Sequence, residues 1–221
     1  MKKTIAIMLA MFMLVAAVFA LAACTPKDDG GNQGGQGGEQ GGNQGGNQGQ
    51  TSAVDATISD ANLKFSGTLY VTNIGQNADA PTLVTILESN LGMTAGTDFT
   101  YDADLTAAEV AEGSVVIAVC GASTKGMGNA GTDAAKELAR AQGFAAKEGI
   151  SLIVMQLGGS TRRGNDSDAI YGAICPAADL VMIVDSANND GKFDTWCANV
   201  PLYKYSRATK TADSLKFVLG K

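Results

Sequence analysis

Long apolar runs constrain the fold of this chain more than any other feature of its sequence. Residues 115–119, 150–157 and 180–184 are almost entirely apolar, and each run is followed by a polar or glycine-rich loop and then by a helical pattern. A strand is apolar along its whole length when helices cover both faces of its sheet, as they do in parallel sheets. The runs therefore predict a parallel β-sheet with helices on both sides.

Weaker patterns predict the remaining elements. Further strands are expected at residues 68–74 and 202–205, with a short edge strand at residues 98–101. Helices are expected at residues 79–91, 133–148, 169–174, 193–198 and 212–219, and Thr106 and Glu109 have the spacing of a capping box. Asp79 is the expected cap of the first helix, Ser167 or Asp168 that of the third, and Gly92 closes the first.

The alternation of strands and helices predicts the topology. Because crossovers between parallel strands are right-handed, it gives a three-layer, doubly wound α/β domain of the flavodoxin-like or Rossmann-like kind, with strand order 2-1-3-4-5. The loops that follow the strands then lie on one edge of the sheet, where ligands bind in such domains.

The first 24 residues combine a charged start, an apolar run and a cysteine. Lys2 and Lys3 precede the apolar residues 5–21, as in a signal peptide. Leu-Ala-Ala-Cys at residues 21–24 resembles the lipobox of bacterial lipoproteins, in which cleavage leaves the cysteine as the lipid-modified N-terminus. We therefore expect residues 1–23 to be a lipoprotein signal peptide and Cys24 to anchor the protein, by palmitate or a similar lipid, to the outer face of the cell membrane. An ordinary signal peptide or an uncleaved anchor is the alternative.

A low-complexity segment, residues 24–53, follows the signal peptide. Between residues 30 and 50, every residue except Glu39 is Gly, Gln or Asn. Such a segment has no apolar side chains to offset the entropy lost on ordering, so we expect a disordered tether. About 30 residues of this kind span roughly 30 Å on average. Residues 54–221 then form one domain of ordinary size.

Charge and cysteine usage exclude several classes of partner. The formal net charge is −6 and the chain has no histidine. We expect no nucleic acid partner, no zinc site, and contact with the membrane only through the lipid anchor. Cys120, Cys175 and Cys197 are expected to be buried free thiols, while a disulfide between Cys175 and Cys197 stays open.

The loop at residues 121–133 is rich in glycine. Gly126 to Gly131 match G-x-G-x-x-G, but Gly126 comes six residues after the strand ends at Cys120, and no acidic residue ends the next strand, so a dinucleotide is not expected. Lys125 precedes Gly126 and no Gly-Lys-Ser/Thr occurs, which excludes a P-loop. Bare amides, a helix N-terminus and one lysine together favour an anion.

Two adjacent arginines, Arg162 and Arg163, lie between glycines in the next loop along the chain. They can bind a carboxylate or phosphate through bidentate hydrogen bonds. They can equally neutralise nearby carboxylates and lock the loop, and the candidates are Asp166, Asp168 and Asp185. Both alternatives stay open.

Catalytic, metal and cofactor motifs are weak. Residues 188–194 resemble part of a calcium loop, but Ser186 and Cys197 stand where acidic ligands are required, so an Asn-Gly turn is the better interpretation. Neither Ser123 nor Ser160 has a histidine base or a G-x-S-x-G elbow. We therefore expect no metal and no cofactor.

The loops together predict a site for a small anionic ligand at the carboxyl ends of the strands. Its expected residues are Gln76, Asp79, Ser123, Lys125, Gly126, Gly128, Ser160, Arg162, Arg163 and Asp185. One alternative is an extracytoplasmic hydrolase or transferase without a histidine-based site. A second is a surface interaction or scaffold module, which requires an exposed apolar patch.

Four segments, taken in order, resemble a known family. Residues 75–79, 121–133, 159–168 and 188–193 are similar to the characteristic loops of an uncharacterised family of bacterial exported α/β domains, a domain of unknown function. The resemblance spans about residue 69 to the C-terminus. It implies the doubly wound fold and transfers no activity.

Overall fold

The structure is a computed structural model that describes residues 52–221. The predicted signal peptide, Cys24 and nearly all of the predicted tether lie outside these residues. In the part of the chain that the structure describes, no helix is both long enough and apolar enough to cross a membrane.

Six parallel strands form the sheet of the described domain. They are β1 (Leu69–Ile74), β2 (Thr100–Tyr101), β3 (Val115–Cys120), β4 (Ser151–Gln156), β5 (Leu180–Val184) and β6 (Leu202–Tyr205). Their order is β2-β1-β3-β4-β5-β6, and every neighbouring pair is parallel. The predicted doubly wound fold and the order 2-1-3-4-5 are confirmed, and β6 extends the sheet beyond β5.

Strand register places the site-forming loops at one level. Leu69 lies opposite Val115 and Ile74 opposite Cys120, so β1 and β3 end together. Since all strands run in one direction, the loops that leave their carboxyl ends share one edge of the sheet. We call this the carboxyl edge, made of the loops that follow β1, β3, β4 and β5.

Six α-helices cover the two faces of the sheet. They are α1 (Asp79–Leu91), α2 (Thr124–Asn129), α3 (Ala134–Ala146), α4 (Asn165–Ile174), α5 (Lys192–Trp196) and α6 (Ala212–Val218). Leu83 of α1 and Leu215 of α6 lie in one apolar cluster, and Phe144, Ile170 and Phe193 of α3, α4 and α5 lie in the other. All five side chains are fully buried, which contributes about 1.5–3 kcal/mol for each. The result is a three-layer domain.

Local chemistry places two helix starts differently from the sequence-based prediction. Gly92 ends α1 in the left-handed conformation, as predicted. Asp79, however, is the first residue of α1 rather than its cap, because the Asn77 side chain accepts a hydrogen bond from the N–H of Asp79 at 2.8 Å. Helix α4 begins at Asn165 instead of residue 169, directly after Gly164, whose φ of 146° is strained for other residues.

The loop predicted at residues 121–133 contains helix α2. The Ser123 side chain caps this helix by accepting a hydrogen bond from the N–H of Gly126 at 3.1 Å. Glycine has poor helix propensity, which is why the sequence pattern indicated a loop. The predicted capping box of Thr106 and Glu109 is present, on a single 3₁₀ turn.

A short N-terminal segment covers the outer edge of β6. The N–H of Ser52 donates to the carbonyl of Leu202 at 3.0 Å, and the N–H of Asp55 donates to the carbonyl of Lys204 at 2.8 Å. The Asp55 carboxylate also accepts hydrogen bonds from the N–H and the hydroxyl of Ser206, at 2.8 and 2.7 Å. These bonds satisfy backbone groups that an uncovered edge strand would expose to other chains.

Cys120, Cys175 and Cys197 are buried free thiols, as the sequence predicts. Burial raises the pKa of the Cys120 thiol. The pKa of Cys175 is also raised, first by burial and then by a hydrogen bond with the thiol of Cys197. Cys120 and Cys175 are therefore protonated and unreactive at neutral pH.

Candidate functional site

The usual ligand position in a doubly wound sheet is the crevice where the strand order reverses, here between the carboxyl ends of β1 and β3. In this domain the chain itself fills that crevice. The N–H of Ser123 donates to the carbonyl of Gly75 at 2.8 Å. A Cβ at Gly75 would lie 2.5 Å from the carbonyl oxygen of Gly121, and a Cβ at Gly126 would overlap that of Gln76. Glycine at positions 75 and 126 therefore allows the backbones of the loops after β1 and β3 to pack closely.

Gln76 adopts an unusual backbone conformation directly after β1. Its φ is 52°, in the left-handed region that non-glycine residues rarely occupy. Its side-chain amide donates to the carbonyl of Ala103 at 3.2 Å and to the carboxylate of Asp104 at 2.9 Å. Both donors of the predicted ligand residue are thus engaged by the loop after β2.

A buried ion pair beneath this loop was not found by sequence analysis. The Glu137 carboxylate on α3 accepts hydrogen bonds from the N–H of Gly75 at 2.8 Å and from Arg140 Nη1 at 2.7 Å. The Arg140 guanidinium also donates to the carbonyls of Asn73, Ala103 and Leu105 and to the hydroxyl of Thr72. The network fixes the carboxyl end of β1. Glu137 and Arg140 are three positions apart on the helix predicted at residues 133–148. This charged pair beside an apolar face was the sequence signal that could have indicated the network.

Arg163 is held by the protein through all five of its N–H donors. Its Nε and Nη2 donate to the two carboxylate oxygens of Asp168 at 2.7 and 3.0 Å. Its Nη1 and Nη2 donate to those of Asp190 at 3.0 and 2.9 Å, and Nη1 also donates to the carbonyl of Ala187. A guanidinium has five donors, so none is left for a ligand. For Arg163 the structure shows the loop-locking alternative, with Asp190 as the partner that sequence analysis missed.

Two aromatic rings also lie close to the same guanidinium. The Arg163 Cζ lies 5.5 Å from the ring centroid of Phe193 and 5.4 Å from that of Trp196. Trp196 and Phe193 in turn pack against each other, with centroids 5.0 Å apart. Cation–π contact adds to the two bidentate pairs and joins α5 to the loop after β4.

The Arg163 cluster predicts a specific pH dependence. Hydrogen bonds from Arg163, and then from Lys192, lower the pKa of Asp168 from its ordinary 3.8 to about 2. A depressed carboxyl pKa stabilises the fold above the unfolded-state value, and this stabilisation is lost as pH falls through the folded-state value. The melting temperature of wild type should therefore exceed that of Asp168→Asn by an amount that is constant above about pH 5 and shrinks towards pH 2.

Circular dichroism melts of the two proteins between pH 2 and pH 7 measure this difference. Comparing the proteins at each pH removes the common contribution of other carboxyl groups. A difference that stays constant down to pH 2 would contradict the role assigned to Asp168.

Arg162 differs from its neighbour because much of its guanidinium is uncommitted. Its Nε donates to the Asp79 carboxylate at 3.1 Å, and its side chain is 25% exposed. Within the described residues, neither Nη1 nor Nη2 of Arg162 makes a hydrogen bond, and Asp79 Oδ2 is buried without a partner. Among the described residues of the carboxyl edge, Arg162 is therefore the partly buried cation that still has hydrogen-bond donors available.

The loops after β3 and β4 are in direct contact. The N–H of Ala122 donates to the Ser167 hydroxyl at 2.9 Å. A Cβ at Gly121 would lie 3.3 Å from the Arg162 Cβ, and the buried Tyr171 hydroxyl donates to the carbonyl of Cys120 at 2.7 Å. The glycine-rich loop and the arginine loop thus form one continuous surface, as the sequence-based site requires.

The other predicted residues are more dispersed. The Ser123 hydroxyl is used as the cap of α2, and no hydrogen bond joins it to Lys125 among the described residues. Lys125 and Gly128 are exposed on α2. Ser160 lies beside the turn that begins at the half-buried Asp185, where its N–H donates to the Ser186 hydroxyl at 3.3 Å. A serine–lysine nucleophile is therefore not assembled here.

A cavity of about 410 Å³ opens between the loops that follow β4 and β5. Its lining includes Ser160, Arg163, Asp168, Ser186, Asn189 and Asp190. Its volume lies in the usual range for small-molecule sites. Residues 52–221 contain no cluster of three or more side chains suited to binding a metal ion.

Comparison with known proteins identifies a family and no further relative. A family model described as a domain of unknown function, DUF6305, matches residues 66–219. Neither the comparison with curated proteins nor that with solved structures gave a match. The match covers well over half of the chain and includes every strand and α-helix described above, so this protein belongs to the DUF6305 family.

Proposed function

We propose that this protein is a lipid-anchored extracytoplasmic lipoprotein whose α/β domain binds a small anionic ligand at the carboxyl edge of its sheet. Arg162 is the observation that carries the proposal. Its Nη groups have no hydrogen-bond partner among the described residues, its side chain is three-quarters buried, and it lies where the loops after β3 and β4 meet. A partly desolvated guanidinium binds carboxylate or phosphate more strongly than an exposed one.

The surroundings of Arg162 favour binding over the two alternatives. Ser123, two residues before Lys125, is committed to capping α2, which leaves a hydrolase or transferase without an activated nucleophile there. A scaffold module requires an exposed apolar patch, and Val54 is the only strongly exposed large apolar residue in the described part of the chain. A ligand-binding domain is the function that remains best supported.

Arg162→Ala should abolish stabilisation by anions. A ligand at one hundred times its dissociation constant stabilises its protein by about 2.7 kcal/mol. We therefore expect one or more members of a panel of phosphate, sulfate and small di- and tricarboxylates to raise the melting temperature of the full chain in detergent. The variant should lose this response, and Arg162→Lys should keep part of it, because lysine retains the charge but not the fork.

Lys147→Ala is the matched control, because this lysine lies at the opposite, amino edge of the sheet after α3. It should respond to anions as wild type does. An anion response that survives Arg162→Ala, or the absence of any response across the panel, would remove the proposed anion site.

Cys24→Ser should release the protein from the membrane. The lipobox-like residues 21–24 motivate this expectation, and the lipid would be attached to the Cys24 thiol. In cells labelled with radioactive palmitate, wild type should carry label and fractionate with membranes, whereas the variant should be unlabelled. Cys120→Ala, which alters a buried thiol, should stay labelled. Equal labelling of wild type and Cys24→Ser would show that the anchor assignment is wrong.

A further inference from the structure

The cavity between the loops after β4 and β5 is distinct from the Arg162 surface. Arg162 and Arg163 are adjacent but point to different elements, Arg162 to Asp79 at the start of α1 and Arg163 to Asp168 and Asp190. Only Arg163 lines the cavity. The crevice between β1 and β3 is filled by backbone, whereas this cavity is an opening at the carboxyl edge.

The charged groups of the cavity are saturated by one another. Asp168 Oδ1 accepts from Arg163 Nε and the N–H of Gly164, and Oδ2 accepts from Arg163 Nη2 and Lys192 Nζ. Asp190 Oδ1 accepts from Arg163 Nη1 and the N–H of Lys192. Each carboxylate oxygen accepts about two hydrogen bonds, so only Asp190 Oδ2 keeps unused capacity. Together with Lys192 the cluster has no net charge.

The side chains of the cavity that take no part in the ion-pair cluster are neutral. The Ser186 hydroxyl accepts from the N–H of Ser160 and keeps its own hydrogen for donation. The side chains of Ser160 and Asn189 are exposed and make no hydrogen bond to other described residues. The cavity therefore offers two hydroxyls and one carboxamide, groups that both donate and accept.

We propose that this cavity binds an uncharged polyhydroxylated ligand of the sugar or cyclitol class. Hydroxyl groups on such a ligand pair with Ser160, Ser186 and Asn189 without disturbing the saturated cluster. An anion would instead face the carboxylates of Asp168 and Asp190 with no free guanidinium donor, and its desolvation would not be offset. This inference does not depend on the anion site at Arg162 or on the lipid anchor.

Saturation-transfer NMR of the full chain in detergent tests the proposal with glucose, galactose, mannose, N-acetylglucosamine and myo-inositol as probes. At least one probe should bind. Asn189→Ala and Ser186→Ala should each weaken that binding about three- to tenfold, the usual cost of one neutral hydrogen bond. Asn199→Ala, an exposed asparagine outside the cavity, should leave it unchanged.

The outcomes separate this site from the anion site. Weaker probe binding in Asn189→Ala and Ser186→Ala, with unchanged binding in Arg162→Ala, supports the proposal even if no anion binds. No binding by any of the five probes overturns it. Binding that is equal in wild type and both cavity variants, or that is lost only in Arg162→Ala, overturns it as well. Circular dichroism of each variant confirms that it is folded before titration.

Discussion

Glu137→Ala is expected to lower the free energy of unfolding by about 3–5 kcal/mol, the usual cost of removing one partner of a buried ion pair. The Glu137 side chain is only 1% exposed and that of Arg140 is 13% exposed. Without the carboxylate, the Arg140 charge stays buried and the N–H of Gly75 loses its acceptor. Urea denaturation of the full chain should show a lower midpoint with an unchanged slope.

Two further variants define the cause of this loss. Glu148→Ala removes an exposed glutamate just beyond the same helix and should change stability by less than about 0.5 kcal/mol. The double variant Glu137→Met with Arg140→Met should be destabilised by less than the sum of the single variants, because neither leaves the other's charge unpaired. An effect of Glu137→Ala no larger than that of Glu148→Ala would contradict the assigned network.

Arg163→Met should lower the free energy of unfolding by about 3 kcal/mol, near the low end for buried pairs, since solvent screens part of the interaction. The side chain of Asp190 is 46% exposed and that of Asp168 is 18% exposed. In the variant, Asp168 would keep Lys192 as its ionic partner after losing Arg163. Without these ion pairs and the cation–π contacts, Arg163 no longer joins the loop after β4 to α5. Thermal melting and urea midpoints should both fall.

The pKa of Asp168 supplies an independent measurement for the same variant. Arg163 is the main cause of its depression, so NMR titration of the carboxyl group should show a value closer to 3.8 in Arg163→Met. Arg163→Lys should recover only part of the stability, because a lysine cannot make two bidentate pairs. Arg207→Met, at an exposed arginine, is the matched control and should be nearly neutral. An unchanged Asp168 titration would show that the cluster is assigned incorrectly.

The strands of this fold were predictable because their signal is local. A continuous apolar run such as residues 180–184 indicates a strand that is buried on both faces. The structure has β5 at the same residues. The edge strand near residue 100 and the glycine stop of α1 were also found from short patterns. Helix α2 was missed because glycine-rich segments carry almost no helix signal, although Ser123 and backbone packing stabilise it.

The roles of the two arginines could not be separated from sequence. Arg162 and Arg163 are neighbours with the same chemistry, yet within residues 52–221 the Nη groups of Arg162 make no hydrogen bond and those of Arg163 are fully used. Asp190 lies 27 positions from Arg163, and Asp79 lies 83 positions from Arg162. No local pattern encodes such pairings, because they depend on how the loops of different strands meet.

The sequence by itself determined the doubly wound sheet and the common edge of its loops. These properties follow from periodic burial and from right-handed crossovers, which act over a few residues or one βαβ unit. Only the tertiary structure decided that backbone fills the crevice between β1 and β3, that Arg163 is saturated while Arg162 is not, and that a neutral cavity opens beside β5. The physical reason is that hydrogen-bond capacity is a property of the assembled site, since each donor and acceptor is free only after its neighbours in space have been counted.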